Sequence, residues 1–177
     1  MTTISAIKDD IVIKNLFLNS NNMAIWSKNP SLLISPLVES AEDAGFCVIT
    51  VNDMADIEVK TVAEDLINDS FDSIPAISLN KVKSESEQLA GTTCKSLVEA
   101  AIAKENGQKV AYLFPNSQSL NPVALKGFYK LVTEKRFGSI SIDEDDIILI
   151  NGDLTAVENN KSTIPPFLLN SFVNIQK

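Results

Sequence analysis

The sequence feature that most constrains the fold is a series of short apolar runs that end at loop residues. The clearest is the predicted strand at residues 109–114, whose apolar part Val110–Phe114 is followed by Pro115 and Asn116. A continuous apolar run of this length is typical of a parallel strand buried on both faces. The other predicted strands are at residues 31–35, 46–51, 139–142, 147–150 and 172–175, with a further extended or edge segment at residues 74–79.

Helical patterns separate these runs. Residues 4–18 are amphipathic and predict one or two short helices, and a second short helix with Trp26 is predicted at residues 23–27. Pro36 favours a helix start and Gly45 a helix end, since proline suits the first turn and glycine the residue after the last. The remaining predicted helices are at residues 37–44, 57–68, 84–106 and 121–132, and a final short one begins at Pro165-Pro166.

Strands that alternate with helices predict a three-layer α/β/α domain with a mostly parallel sheet of about five strands. At 177 residues the chain is most simply one domain. We expect residues 1–28 to form a helical segment that packs on a single α/β domain at residues 29–177. Phe17 and Trp26 are interpreted as packing that segment onto the domain, with an exposed apolar patch for a partner as the alternative.

Composition excludes several classes of function. There is no histidine, which removes the commonest general base and metal ligand, and Arg136 is the single arginine. The net charge of −8 argues against nucleic acid and anionic membranes as partners. Cys47 and Cys94 lack metal-ligand spacing, and no apolar run approaches the ~20 residues that span a bilayer. We therefore expect a cytoplasmic protein with reduced thiols and no metal or cofactor.

The order of elements resembles an AAA+ ATPase module, closest to the MoxR-type branch, from about Asn29 onward. The run that ends at Phe114 resembles the Walker B strand, but Phe114 and Pro115 stand where the family has aspartate and glutamate. Those acids hold magnesium and orient the attacking water. Neither Phe114 nor Pro115 can do so, which leaves two interpretations: a site filled with apolar side chains, or a remodelled binding surface.

Two further blocks carry the same resemblance. Residues 147–150 followed by Asn151 resemble sensor 1, although an asparagine at a strand end also simply turns the chain. Residues 164–172 resemble the segment of the arginine finger, with Ser171 where the arginine would stand. The sequence ends at Lys177, where family members continue into a helical lid.

The Walker A loop has no counterpart in the predicted arrangement. From the strand at residues 31–35 the chain passes through Ser35 and Pro36 directly into a helix, with no lysine and no glycine before Gly45. A phosphate loop needs glycines for the backbone cradle and a lysine for the outer phosphates. The segment is also too short for a loop and a helix together, so we interpret the loop as deleted.

These losses predict a non-catalytic, ATPase-dead AAA+-like protein that acts through protein–protein contacts as a structural or regulatory subunit. The resemblance implies a strand order of 5-1-4-3-2, and either a ring-type homo-oligomer or a complex with an active AAA+ ATPase. A stripped-down domain rich in lysine, asparagine and isoleucine suits a phage, mobile-element or bacterial protein. The alternatives are a degenerate regulator that binds ATP or ADP without hydrolysis, and an enzyme of unrelated chemistry.

The acidic stretch Asp143-Glu144-Asp145-Asp146 is a separate candidate for a cation loop. It lacks the alternating ligands and the glycine of an EF-hand. We interpret it as a solvated hairpin turn between the predicted strands at residues 139–142 and 147–150.

Overall fold

The computed structural model describes residues 10–51, 95–115, 122–138, 140–158, 164 and 166–177. Predictions for residues 1–9 and 52–94, including the helix at 57–68, the segment at 74–79 and the first part of the helix at 84–106, lie outside this part. The described helices are α1 (Ile11–Leu18), α2 (Ile34–Asp43), α3 (Lys95–Glu105), α4 (Pro122–Thr133) and α5 (Leu154–Glu158), with 3₁₀ helices at Pro30–Leu33 and Pro166–Leu169. The strands are β1 (Met23–Ser27), β2 (Cys47–Thr50), β3 (Val110–Phe114), β4 (Arg136–Phe137), β5 (Ile140–Ser141), β6 (Ile147–Asp153) and β7 (Val173–Gln176).

The main sheet has five described strands in the order β2-β3-β6-β1-β7. All four pairings between them are parallel. If these five strands are renumbered 1 to 5 in chain order, β6 becomes strand 4 and β7 becomes strand 5. Read from β7, the sheet then has the order 5-1-4-3-2. The predicted order and the parallel sheet are thus confirmed, although the first strand is built from other residues than predicted.

The first strand is the main correction. Met23–Ser27 is a strand whose five residues are all buried, and not the predicted helix. It lies between β6 and β7, with Met23 opposite both Leu149 and Val173. The predicted strand at residues 31–35 is instead the end of a 3₁₀ helix and the start of α2. Short apolar runs of five residues carry no usable periodicity, so the pairing with two neighbours decides which run is the strand.

Most of the other elements lie within a few residues of their predicted positions. β2, β3, β6, β7, α2 and α4 are all present, and Gly45 follows α2 with a φ of +91°, as a glycine after a helix does. The predicted strand at residues 139–142 is the two-residue β5, which pairs antiparallel with β4 and not with β6. The acidic stretch is therefore not a hairpin turn between paired strands.

One face of the sheet packs against α1 and α2. Asp10 caps α1 by accepting hydrogen bonds from the backbone N–H groups of Val12 (2.9 Å) and Ile13 (3.2 Å). A hydrogen bond with Lys177 lowers the pKa of Asp10 and pins the start of α1 beside the end of β7. The core on this face comprises Ile13, Phe17, Met23, Ile25, Leu33, Leu37, Ala41, Phe46, Ala111, Leu113, Ile147 and Leu149.

The opposite face of the central strands is also buried. Tyr112, Ile148 and Ile150 alternate with the residues of the first face and are at most 1% exposed. Burial on both faces is characteristic of the middle layer of an α/β fold. The sheet is thus compatible with a three-layer arrangement.

The chain divides into two compact units. The first, Met1–Asn52 with Ala103–Leu120 and Asp143–Lys177, contains the main sheet, α1 and α2. The second, Asp53–Ile102 with Asn121–Ile142, contains α4 and the β4–β5 pair. The predicted boundary after residue 28 falls inside the first unit and stays a prediction. None of the helices in the described part of the chain has the length and apolar character needed to cross a membrane.

Phe17 and Leu18 provide a matched test of the α1 packing. Phe17 is fully buried with its ring centroid 6.2 Å from that of Phe46, whereas Leu18 is 65% exposed. We expect Phe17→Ala to lower the free energy of unfolding by about 3–5 kcal/mol, because a buried aromatic ring is lost and a cavity remains. Leu18→Ala should change it by less than about 1 kcal/mol. Urea denaturation followed by circular dichroism measures both, and equal losses would contradict the assigned faces of α1.

Candidate functional site at the carboxyl edge of the sheet

Asn151 connects three segments at the carboxyl edge of the sheet. It lies on β6 with a fully buried side chain. Its Nδ2 donates hydrogen bonds to the carbonyl oxygen of Pro30 (2.8 Å) and to that of Pro115 (3.3 Å). These carbonyls belong to the connections that follow β1 and β3. The asparagine therefore fixes both connections to β6, beyond turning the chain at a strand end.

Trp26 and Gly152 lie side by side next to this clamp. They are register partners on β1 and β6. A Cβ atom added to Gly152 would lie 2.2 Å from Cζ3 of Trp26, so only glycine fits beneath the indole. The indole Nε1 donates a hydrogen bond to Oδ1 of Asn174 on β7 (3.1 Å). Trp26 thus contacts residues on both neighbouring strands of β1. Because Trp26 is 4% exposed and Phe17 is fully buried, these two side chains do not form an exposed apolar patch.

Phe114 and Pro115 are buried at the end of β3. Phe114 is 3% exposed, and Pro115 is buried while its carbonyl oxygen accepts from Asn151. Of the two interpretations of this pair, the apolar filling of the site fits the structure. A remodelled binding surface at these two side chains does not, because they are inaccessible.

The sequence predicted that the loop between the first strand and its helix is deleted, but the structure has a connection between β1 and α2. Because the first strand ends at Ser27, six residues separate it from α2, and the connection contains the exposed Lys28. Four of these residues, Pro30–Leu33, form a 3₁₀ helix that continues into α2. The connection is therefore present, but it contains no glycine and is helical where a phosphate loop would need an open backbone cradle.

The six candidate site residues from the sequence do not all lie in one place: Ser35, Pro36, Phe114, Pro115, Asn151 and Ser171. Phe114, Pro115 and Asn151 lie together at the carboxyl edge. Ser35 and Pro36 lie in the first turn of α2, directly after the 3₁₀ helix that contacts β6, with Ser35 exposed and Pro36 buried. Ser171 is exposed two residues before β7, at the opposite edge of the sheet.

The amino edge holds a polar cluster that the sequence reasoning missed. Asp146, predicted as part of a solvated turn, has a fully buried side chain. It accepts hydrogen bonds from the N–H groups of Val110 (2.8 Å) and Asp143 (2.9 Å). Lys104 forms ion pairs with Asp146 and with Asp143, the latter at 2.7 Å. The one signal in the sequence was that Asp146 directly precedes an apolar run, where a carboxylate can cap the neighbouring strand.

Burial and charge shift two pKa values in this cluster. Burial of Lys104 disfavours its protonated form, but the hydrogen bonds to Asp143 and Asp146 outweigh this and raise the pKa of Lys104. Burial, and then the negative charges of Asp146 and Asp143, raise the pKa of Tyr112 well above its usual value. The cluster thus holds a charged lysine and a neutral phenol, which suits a structural clamp.

Within the described residues, no group of three or more cysteine, aspartate or glutamate side chains is arranged to hold a metal ion. Asp143 and Asp146 share one lysine instead of facing a cation site. The contacts described at the two edges are hydrogen bonds to backbone groups and the ion pairs of Lys104.

Comparisons with protein-family models, with curated proteins and with solved structures find no match to this chain.

A double-mutant cycle tests the contact between Trp26 and Gly152. We expect Gly152→Ala to lower the free energy of unfolding by about 1–3 kcal/mol, because the new methyl group overlaps the indole. In a Trp26→Leu background the same change should cost about 1 kcal/mol less, since the indole is gone. Denaturant unfolding of the four proteins measures the coupling, and additive effects would contradict it.

The amino-edge cluster predicts a loss of stability at alkaline pH. Lys104 and Tyr112 both bind their proton more tightly in the folded state, so their contribution is complete below the unfolded pKa values of about 10. It is lost progressively as pH rises above about 10. Tyr112→Phe should reduce this alkaline decline because phenylalanine does not ionise, whereas the exposed Tyr129→Phe should not. Melting temperatures between pH 8 and 11 measure it; an identical decline in all three proteins would exclude the role of Tyr112.

Proposed function

We propose that this chain is a non-catalytic, AAA+-like protein that acts as a structural or regulatory subunit through protein–protein contacts. The observation that carries the proposal is the burial of three described side chains at the carboxyl edge, which contact other parts of the protein. In open α/β sheets this edge is where ligands bind, at the carboxyl ends of the strands. Here the amide of Asn151, the indole of Trp26 and the phenyl ring of Phe114 are buried within the protein.

The strand order supports the AAA+-like part of the proposal. Five parallel strands in the order 5-1-4-3-2 are what the resemblance implies, and sensor-like Asn151 lies on the fourth of them, next to β1. A P-loop-like, three-layer ancestry accounts for this placement. It also accounts for a connection after β1 that lies at the right edge of the sheet without the glycines of a phosphate loop.

The residues in the positions that resemble Walker B and sensor 1 support the non-catalytic part. The carboxylate at the carboxyl end of β6, Asp153, lies two residues beyond Asn151 and accepts a hydrogen bond from the N–H of Thr155 (2.8 Å). Magnesium-dependent phosphoryl transfer needs carboxylates that hold the ion and a group that orients the attacking water. The residues in those positions are Phe114, Pro115 and Asn151, and the Asn151 amide already donates to two backbone carbonyls. The acidic net charge of −8 disfavours nucleic acid as the partner.

Isothermal titration with ATP and ADP, with and without magnesium, tests the proposal. We expect no heat of binding at nucleotide concentrations up to about 1 mM, because binding would require Trp26 and Asn151 to leave their buried contacts. A matched variant, Lys28→Ala, should behave identically. Micromolar binding that is lost in Lys28→Ala would replace the proposal with its rival, a regulator that binds nucleotide without hydrolysis.

The partner itself is addressed by affinity capture from the native host, followed by native mass measurement of the intact complex. We expect a defined complex, formed with other copies of the chain or with a second protein. A chain that stays monomeric alone and in host extract would contradict a role as a subunit.

A further inference from the structure

β7 forms one edge of the main sheet, and its outer side is open within the described part of the chain. It is the last strand in the sheet order and pairs there with β1 alone. The N–H groups of Val173 and Lys177 donate to carbonyl oxygens on the β1 side, both at 2.9 Å. Because the backbone groups of successive residues in a strand point to opposite edges, those of Asn174 and Gln176 face away from β1. Their N–H and C=O groups form an open hydrogen-bonding edge.

The side chains along this edge do not protect it from pairing. Val173 is 38% exposed, and the other exposed residues of β7, Asn174 and Gln176, are uncharged. Residues 162–176 contain no aspartate, glutamate, lysine or arginine. Lys177 follows β7, but an ion pair joins it to the N-cap residue of α1. Natural edge strands are commonly blocked by an outward lysine or by a proline within the strand, and β7 has neither.

We propose that β7 pairs antiparallel with β7 of a second copy of the chain, about a two-fold axis at Ile175. In this register Asn174 of one copy lies opposite Gln176 of the other. Both outward N–H groups of each copy then donate to outward carbonyl oxygens of the other copy. The two five-stranded sheets become one continuous sheet. This inference rests on the proposed function as a subunit and names its surface and its partner.

A second copy fits this edge better than an unrelated extended segment does. Each copy has the same open edge, so a single symmetric contact closes both. An unrelated segment added to β7 would become the new outer strand and leave its own outer edge open. Ile175 also packs against the hydrophobic core from its partly buried position. Its counterpart across the two-fold axis therefore extends an existing apolar cluster.

The charges of the chain set the expected strength of this contact. In the proposed register Val173 lies opposite Lys177 of the other copy, and no acidic side chain of β7 meets its counterpart. The net charge of −8 repels two copies at longer range, and salt screens that repulsion. Two strands of four residues form a contact smaller than the ~1,200–2,000 Å² of a standard interface. We therefore expect a micromolar dimer that tightens as salt rises.

Sedimentation of the full chain over a concentration series tests for the dimer. We expect a reversible monomer–dimer equilibrium, with a dissociation constant that falls as salt is raised from about 50 to about 500 mM. A contact driven by attraction between opposite charges would show the reverse dependence on salt.

Matched variants locate the contact on β7. Gln176→Pro removes an outward N–H but leaves the donors to β1 in place, so it should raise the dissociation constant at least tenfold. Val173→Lys, which places a lysine opposite Lys177, should raise it as well and serves if Gln176→Pro does not fold. Leu32→Lys is the control, because Leu32 is 62% exposed on the 3₁₀ helix that contacts β6, on the other side of β1. Circular dichroism checks that each variant is folded.

Disulfide cross-linking tests the register in a background with Cys47→Ala and Cys94→Ala. Ile175→Cys should form a covalent dimer on oxidation, because the facing Cα atoms at the axis are about 4.5 Å apart, within the range that a disulfide spans. Gln176→Cys is the matched control. Its counterpart lies on the diagonal at about 7–8 Å, so it should cross-link at least tenfold more slowly.

Three results would overturn the proposal. A chain that stays monomeric up to about 200 µM has no self-pairing edge of the expected micromolar strength. A dimer that Gln176→Pro and Leu32→Lys affect equally forms elsewhere on the surface. Equal cross-linking by Ile175→Cys and Gln176→Cys excludes the register. A complex captured from host extract that persists in Gln176→Pro would remove this surface and leave the proposed function standing, whereas a chain that is monomeric alone and in extract contradicts both.

Discussion

The structure depends on satisfying the backbone polar groups at both ends of a buried parallel sheet. The central strands are covered on both faces, so their terminal N–H and C=O groups need partners within the protein. Asn151 supplies a donor for two carbonyls at the carboxyl edge. Asp146 and Asn22 supply acceptors for the N–H groups of Val110 and Ile148 at the amino edge. Each side chain also fixes a neighbouring connection.

The same constraint engages several described groups at the carboxyl edge in contacts within the protein. A site that binds phosphates keeps its backbone donors open toward the ligand. Here the connection after β1 is folded as a 3₁₀ helix whose Pro30 carbonyl is held by Asn151. Trp26 occupies the space above Gly152, and Asn174 fixes its indole. These polar and aromatic groups stabilise the sheet.

Much of the fold could be predicted from the sequence, for identifiable physical reasons. The runs that became β3 and β6 are continuously apolar and bounded by loop residues, and Gly45 marks the end of α2 through its positive φ. The candidate site was predictable only in part. Asn151 and Phe114 were found as strand-end residues, but the partner of Asn151 is the Pro30 carbonyl, 121 residues away along the chain. No local pattern reveals such a contact.

The sequence by itself determined that the chain forms an α/β domain with a parallel sheet. The periodicity of apolar residues and the turn residues specify helices and strands from neighbouring residues alone. It also determined that Phe114 and Pro115 stand at the end of β3 where the resembled family has acidic residues, since that depends on residue type alone. Only the tertiary structure decided that Met23–Ser27 is the central strand, because two short apolar runs compete and pairing with both β6 and β7 selects one. The tertiary structure likewise decided that Asp146 is buried, since its partners Val110 and Lys104 come from distant parts of the chain.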